Sequence, residues 1–213
     1  MSSWSGTNIN KKIAEKKGCY RKFVLLIYTR YFATLLNSSG SIVIGTGEME
    51  EEYVKLSEGA FELFEGTEED KEILLKLHRG YLEANSMGLN VDALRKLWSD
   101  DPNCVWFNST GYNYHGIEEW AALWEYFGPR VEITDPWRSF DVRLIGNSEY
   151  AVITCERTAR GKWQQTNYEP HWTGDLWPSR STEVFSKETG RWQCVHVHIS
   201  SRETGPRPEQ QES

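Results

Sequence analysis

Gly190-Arg191-Trp192-Gln193-Cys194-Val195-His196-Val197-His198-Ile199-Ser200 is the stretch on which the fold turns. Apolar and polar residues alternate along it, the two-residue period of a half-buried β-strand. Cys194, His196, His198 and Ser200 fall on one face, and Val195, Val197 and Ile199 on the other. Glu188-Thr189-Gly190 is a turn, and Arg180 to Lys187 before it has the same period, so the two segments predict a hairpin. Val131 to Ile145 and Glu149 to Trp163, joined by Gly146-Asn147-Ser148, predict another. The long loop between Gln164 and Ser179 holds Tyr168, His171, Trp172 and Trp177.

Ahead of these strands the period lengthens. Thr67-Glu68-Glu69-Asp70 supplies a capping oxygen and acids for the positive end of a helix dipole. Ile73, Leu74, Leu77, Tyr81 and Leu82 then mark the buried stripe of a helix over about 69–86. Val91 to Trp98 predicts a second, short helix, and Cys104 to Asn108 a strand. Ser109 to Gly116 is a polar, Tyr-rich loop, and Ile117, Trp120, Ala121 and Trp124 define a third helix ending near Gly128-Pro129. Residues 49–66, closed by Gly66, suggest a further short amphipathic helix. Helices followed by a curved antiparallel sheet make an α+β plan, with one working domain over 67–201. A basic extension (1–48) precedes it and a polar, disordered tail follows Arg202.

The net charge of −7 divides unevenly: residues 1–48 carry +5, which leaves −12 for the remainder. An acidic domain repels phosphate backbones, so no nucleic-acid partner is expected. Cys19, Cys104, Cys155 and Cys194 show no CxxC or framework spacing and fit reduced thiols in a cytoplasmic protein. Phe23 to Leu36 is the one apolar run with basic flanks, but Arg30 interrupts it and it is too short to span a membrane. Nine of the ten tryptophans lie between Trp98 and Trp192, which calls for a bulky core, an aromatic pocket, or both.

Val142-Arg143-Leu144-Ile145-Gly146 through Ala151-Val152-Ile153 resembles the central strands of the calcium/calmodulin-dependent protein kinase II association domain. Ser181-Thr182-Glu183-Val184-Phe185 and the stretch quoted first resemble its last hairpin more closely. The Gly-x-Trp-x-x-Val-His-x-His-x-Ser ending is also shared with SnoaL-like proteins of the nuclear transport factor 2-like, or cystatin-like, superfamily. The resemblance covers about Glu69 to Ser201 and implies a cone whose sheet wraps a pocket. It also implies homodimers, or larger homo-oligomers, formed through the outer sheet face. The kinase domain's three pocket arginines fall on Glu156, Glu183 and Ile199, and a pocket histidine on Trp120. The resemblance therefore implies a pocket with two carboxylates and an indole where positive charge stood.

Two carboxylates in a low-dielectric cone do not both ionise cheaply, so Glu156 and Glu183 are candidate general acid or base groups. They could equally pair with Arg143, Arg157, Arg160 or Arg180 across the strands. Tyr112 and Tyr114, in the loop at the pocket mouth, could donate to a developing oxyanion. Trp106, Trp120 and Trp124, with Ile199, are candidate pocket walls, and Trp172 and Trp177 candidate lid residues. His196 and His198 lack a third ligand at matching spacing and suggest no metal. No GxGxxG, Walker loop or HExxH occurs, so no cofactor is expected.

Two functions fit these features. The first is a cofactor-free isomerase, dehydratase, cyclase or lyase acting on a small hydrophobic, ring-containing molecule. The second is a non-catalytic homo-oligomerising module that binds a ligand in the same pocket.

Overall fold

The computed structural model describes residues 53–164, 174–203 and 207, all within the unit Gly47–Ser213. The basic extension, Tyr168, His171, Trp172 and the rest of the tail lie outside the described residues. Two three-residue strands, β1 (Val54–Leu56) and β2 (Leu63–Glu65), open the described chain. They occupy the segment expected to be helical. Gly59 sits at φ +65°, which breaks a helix, and Val54, Ala60 and Phe64 are buried where the segment lies along the sheet. Its apolar residues suit either period, and pairing with a neighbouring strand decides between them.

Helix α1 (Glu68–Ser86) begins at a capping box. The Thr67 hydroxyl accepts from the Asp70 amide at 3.1 Å, and the Asp70 carboxylate accepts from the Thr67 amide at 3.3 Å. Asn90 caps α2 (Val91–Leu97), its side-chain oxygen accepting from the Ala93 amide at 3.0 Å. β3 (Val105–Phe107) and β4 (Asn113–His115) form a small hairpin, and α3 (Gly116–Phe127) follows directly. β4 lies inside the segment read as loop. A short 3₁₀ turn (Gly128–Arg130) leads to β5 (Val131–Asn147), β6 (Tyr150–Trp163), β7 (Ser179–Ser186) and β8 (Gln193–Ser201).

The sheet order is β1-β5-β6-β7-β8-β3-β4, with β2 also pairing on β5. The long strands β5 to β8 are antiparallel, whereas β1 and β2 run parallel to β5, and β3 parallel to β8. Curvature comes from β5, whose register with β6 shifts three times, once where Asp141 takes φ +50° between Phe140 and Arg143. The sheet bends without closing, and α1 and α3 lie on its concave side, where Leu74, Tyr81, Trp120, Ile153 and Val197 form the core. A register shift in β7–β8 pairs Phe185 with Cys194 and Val184 with His196, so Cys194 is buried while His196 lies toward the outer face. The strict alternation expected of the last strand therefore breaks at Val195. No helix of the described residues is long and apolar enough to cross a membrane.

Candidate functional site

Along β6 the buried residues are Ala151, Ile153, Cys155, Arg157, Ala159 and Gly161, an unbroken series of odd numbers. Glu156 consequently projects from the opposite face. It meets the Arg202 guanidinium at 2.6 Å, about a third exposed. The resemblance had placed Glu156 in the cone. The strand puts Arg157 there instead, because a slip of one residue exchanges the two faces.

Arg157 is 1 % exposed, and its guanidinium carbon lies 4.9 Å from the Tyr81 ring centre and 4.7 Å from that of Trp137. Nε and Nη1 make no hydrogen bond, and among the described residues no carboxylate forms an ion pair with this side chain. Such a charge is costly to bury without a partner. Arg157 borders a cavity of about 80 Å³ under the mouth of the cone. Helix α3 supplies Trp120, Trp124 and Phe127, and β5 supplies Val131, Ile133 and Trp137. Trp163, Trp177 and Ile199 complete the aromatic and aliphatic wall, and the β3–β4 loop brings Thr110. Further lining atoms without a hydrogen-bond partner among the described residues include the Tyr81 and Thr110 hydroxyls and the Trp120 indole nitrogen. Burial pushes the Tyr81 hydroxyl up to about 12, against the pull of Arg157, so it stays protonated.

Of the residues nominated from sequence, Trp120, Trp124, Trp177 and Ile199 line this cavity together. Trp106 is fully buried but stands behind the wall, tilted on Trp98 at 4.5 Å, its indole donating to the Gly116 carbonyl at 3.1 Å. Tyr114 meets the edge of Trp120 at 5.4 Å without lining the cavity, and Tyr112 is exposed. Trp172 lies outside the described residues.

Glu183 is buried behind the cavity in a polar cluster. His78 Nδ1 lies 2.8 Å from Glu183 Oε2, and His78 Nε2 lies 2.8 Å from the Ser139 hydroxyl. Ser181 donates to the other Glu183 oxygen at 3.1 Å, and the Cys155 sulfur is 3.2 Å from the Ser181 hydroxyl. The chain Ser139–His78–Glu183 has the order of a nucleophilic triad, but its electrostatics oppose that use. Burial would lower the His78 pKa, yet the adjacent Glu183 charge and Cys155 outweigh it and raise it from 6.5 to about 10. An imidazolium has no lone pair to accept a serine proton. Donor atoms of His78, Cys155 and Glu183 also lie within 4.8 Å of one another. They could hold a metal only by giving up the His78–Glu183 hydrogen bond.

Neither residue that matters most was nominated as a site residue from sequence, Arg157 figuring only as a possible partner of the glutamates and His78 not at all, although each left a trace. His78 stands four residues after Leu74 and four before Leu82, within the buried stripe. Arg157 shares the parity of Ile153 and Ala159. On the outer face, His196 Nδ1 is 2.5 Å from the Val105 carbonyl, and His198 is exposed.

The SnoaL-like domain family matches residues 76–202, more than half of the chain. A comparison with curated proteins finds no match. Solved structures of similar shape include a cystatin-like protein from Caulobacter vibrioides (13 % identity, TM-score 0.50, 68 % of this chain and 94 % of that one). A proposed aromatic ring hydroxylase from Novosphingobium aromaticivorans is similar at 12 % identity and TM-score 0.50, over 65 % of this chain and 91 % of its own. A proposed calcium/calmodulin-dependent kinase II association domain from Exiguobacterium sibiricum is similar at 11 % identity and TM-score 0.49, over 64 % and 95 %. At these identities the likeness is one of fold alone. With helices packed on a curved, unclosed sheet around an aromatic cavity, and a family match running from within α1 through β8, the chain belongs to the SnoaL-like domain family.

Proposed function

We propose that this protein binds a small, ring-sized organic acid, its carboxylate paired with Arg157 and its ring held among Trp120, Trp124 and Trp177. The observation that carries the reading is the buried guanidinium on the cavity wall, whose Nε and Nη1 make no hydrogen bond and which no carboxylate pairs with among the described residues. An anion there would offset the cost of burying that charge, and guanidinium suits a planar carboxylate. Glu183 is hydrogen-bonded to His78 and Ser181, and it acts on Arg157 only through its charge, without an ion-pair contact. A cavity of about 80 Å³ admits on the order of five to eight waters, which matches one ring and its substituents.

Proton transfer by paired glutamates draws no support from this arrangement. Among the described residues no Asp or Glu lines the cavity, and Glu156 is on the other face. The geometry therefore favours the ligand-binding reading over the isomerase or lyase one. The outer sheet face supports its second part, a homodimer. There Phe107 is 37 % exposed and edge-on to His196 and His198, at 5.0 and 5.7 Å.

Titration with benzoate, followed by tryptophan fluorescence, tests the binding reading. Wild-type protein should bind saturably, and Arg157→Gln should bind at least about thirtyfold more weakly, the worth of a charge-assisted hydrogen bond. Equal affinity in the two proteins would overturn the assignment of Arg157.

A further inference from the structure

The cavity's polar groups are one-sided. Arg157 and Trp120 present N–H groups, which only donate, and Tyr81 and Thr110 present hydroxyls. Each lining carboxamide has one atom engaged: the Asn85 amide donates to the Tyr81 carbonyl at 2.8 Å, and the Asn108 side-chain oxygen accepts from the Thr110 amide at 3.0 Å. A wall of unused donors fits a ligand that brings acceptors.

The donors also fall into two groups. Arg157 lies against Tyr81 and Trp137. Trp120 stacks on Trp98 at 5.4 Å, and Trp98 in turn meets Tyr81 at 5.0 Å. Thr110 belongs with Trp120, since it sits in the β3–β4 loop beside Tyr114, whose ring meets the Trp120 edge.

Resting on the reading of Arg157 as the carboxylate site, we infer that the cavity selects acids carrying a second oxygen acceptor across the ring from the carboxylate. The ligand class is thus an aromatic or cyclic hydroxy- or oxo-acid. The carboxylate takes the Arg157 and Tyr81 donors, and the distal hydroxyl or carbonyl oxygen accepts from the Trp120 N–H and the Thr110 hydroxyl. A purely hydrocarbon distal group leaves both donors unpaired. A distal aliphatic ammonium faces donors with its own positive charge and is rejected more strongly still.

The test compares para-hydroxybenzoate with para-methylbenzoate, a pair nearly equal in size, on the full chain by calorimetric titration, with benzoate as reference. The inference expects the hydroxyl compound to bind about tenfold more tightly than the methyl one, the worth of one buried hydrogen bond. That ratio should fall toward one in Trp120→Phe and in Thr110→Val, each first shown by thermal unfolding to be folded. A wild-type ratio at or below one, with benzoate still bound in an Arg157-dependent way, overturns the distal site and leaves the carboxylate site standing. A ratio that survives in both variants also overturns it. Failure of all three acids to bind overturns both readings together.

Discussion

Arg157 carries a full charge into a cage of rings. Arg157→Met keeps the side chain's length and removes a buried cation that forms no ion pair among the described residues. It should raise stability to urea by about 1–4 kcal/mol while abolishing acid binding. A loss of stability instead would mean that the guanidinium already has a compensating partner. His78 makes a separate, pH-dependent contribution. Its folded pKa of about 10 stands above the 6.5 of the free side chain, so the stabilisation is complete below pH 6.5 and is lost as pH rises through about 10. Urea midpoints of the wild type should fall across that window more steeply than those of His78→Gln. Parallel curves would show that the ring is neutral. Neither residue was read as functional from sequence, for a common reason: a polar residue on a buried stripe or strand face reveals its role only when its partners, far along the chain, come into view. For His78 these are Ser139 and Glu183.

The elements that build the cavity differ in how plainly they were written. The four long strands and α3 were legible, because each holds one period over enough residues to exclude the other. The segment holding β1 and β2 was not, since three-residue strands carry too few repeats to set a period. Trp177 reaches the wall because β6 leaves room for it at Gly161, where an added methyl would lie 2.3 Å from the indole and 2.8 Å from the Glu132 carbonyl. Gly161→Ala should displace Trp177 and weaken benzoate binding, with a red-shifted tryptophan emission as the indole gains water. An unchanged spectrum and affinity would show that the ring does not shape the site. The start of α1 is tied to the last hairpin by Asp70, which accepts from the Lys187 ammonium at 2.8 Å, the Trp192 indole at 2.7 Å and the Thr67 hydroxyl at 2.8 Å. These bonds, that from Lys187 first, hold the carboxyl well below its usual 3.8. The stabilisation is therefore present above pH 3.8 and is lost as pH falls below it. Asp70→Asn should cost about 1–3 kcal/mol at neutral pH. It should also flatten the acid limb of the urea midpoint against pH, and an unflattened limb would assign that limb to other carboxylates.

Assembly belongs to the molecule as a whole. With the homodimer proposed through the outer face, Phe107→Glu should shift sedimentation to the monomer without altering benzoate binding, because Phe107 lies on the side of the sheet away from the cavity. A wild type that sediments as a monomer at all concentrations would remove that part of the reading. The general plan was written plainly, since helices ahead of paired long strands leave few ways to bury both apolar faces. The cavity's charge was not, because it depends on one residue of register in β6. The bond from Asp70 to the closing hairpin also bears on where this domain can be cut. The family match begins at residue 76, after Thr67 and Asp70 and after both short strands on β5. A chain trimmed to the matched span would keep every recognisable feature of the family and lose the capping box that starts α1. It would also leave the Lys187 ammonium and the Trp192 indole facing an empty place. Kinship and self-sufficiency have different borders here, and those who shorten this protein should follow the second.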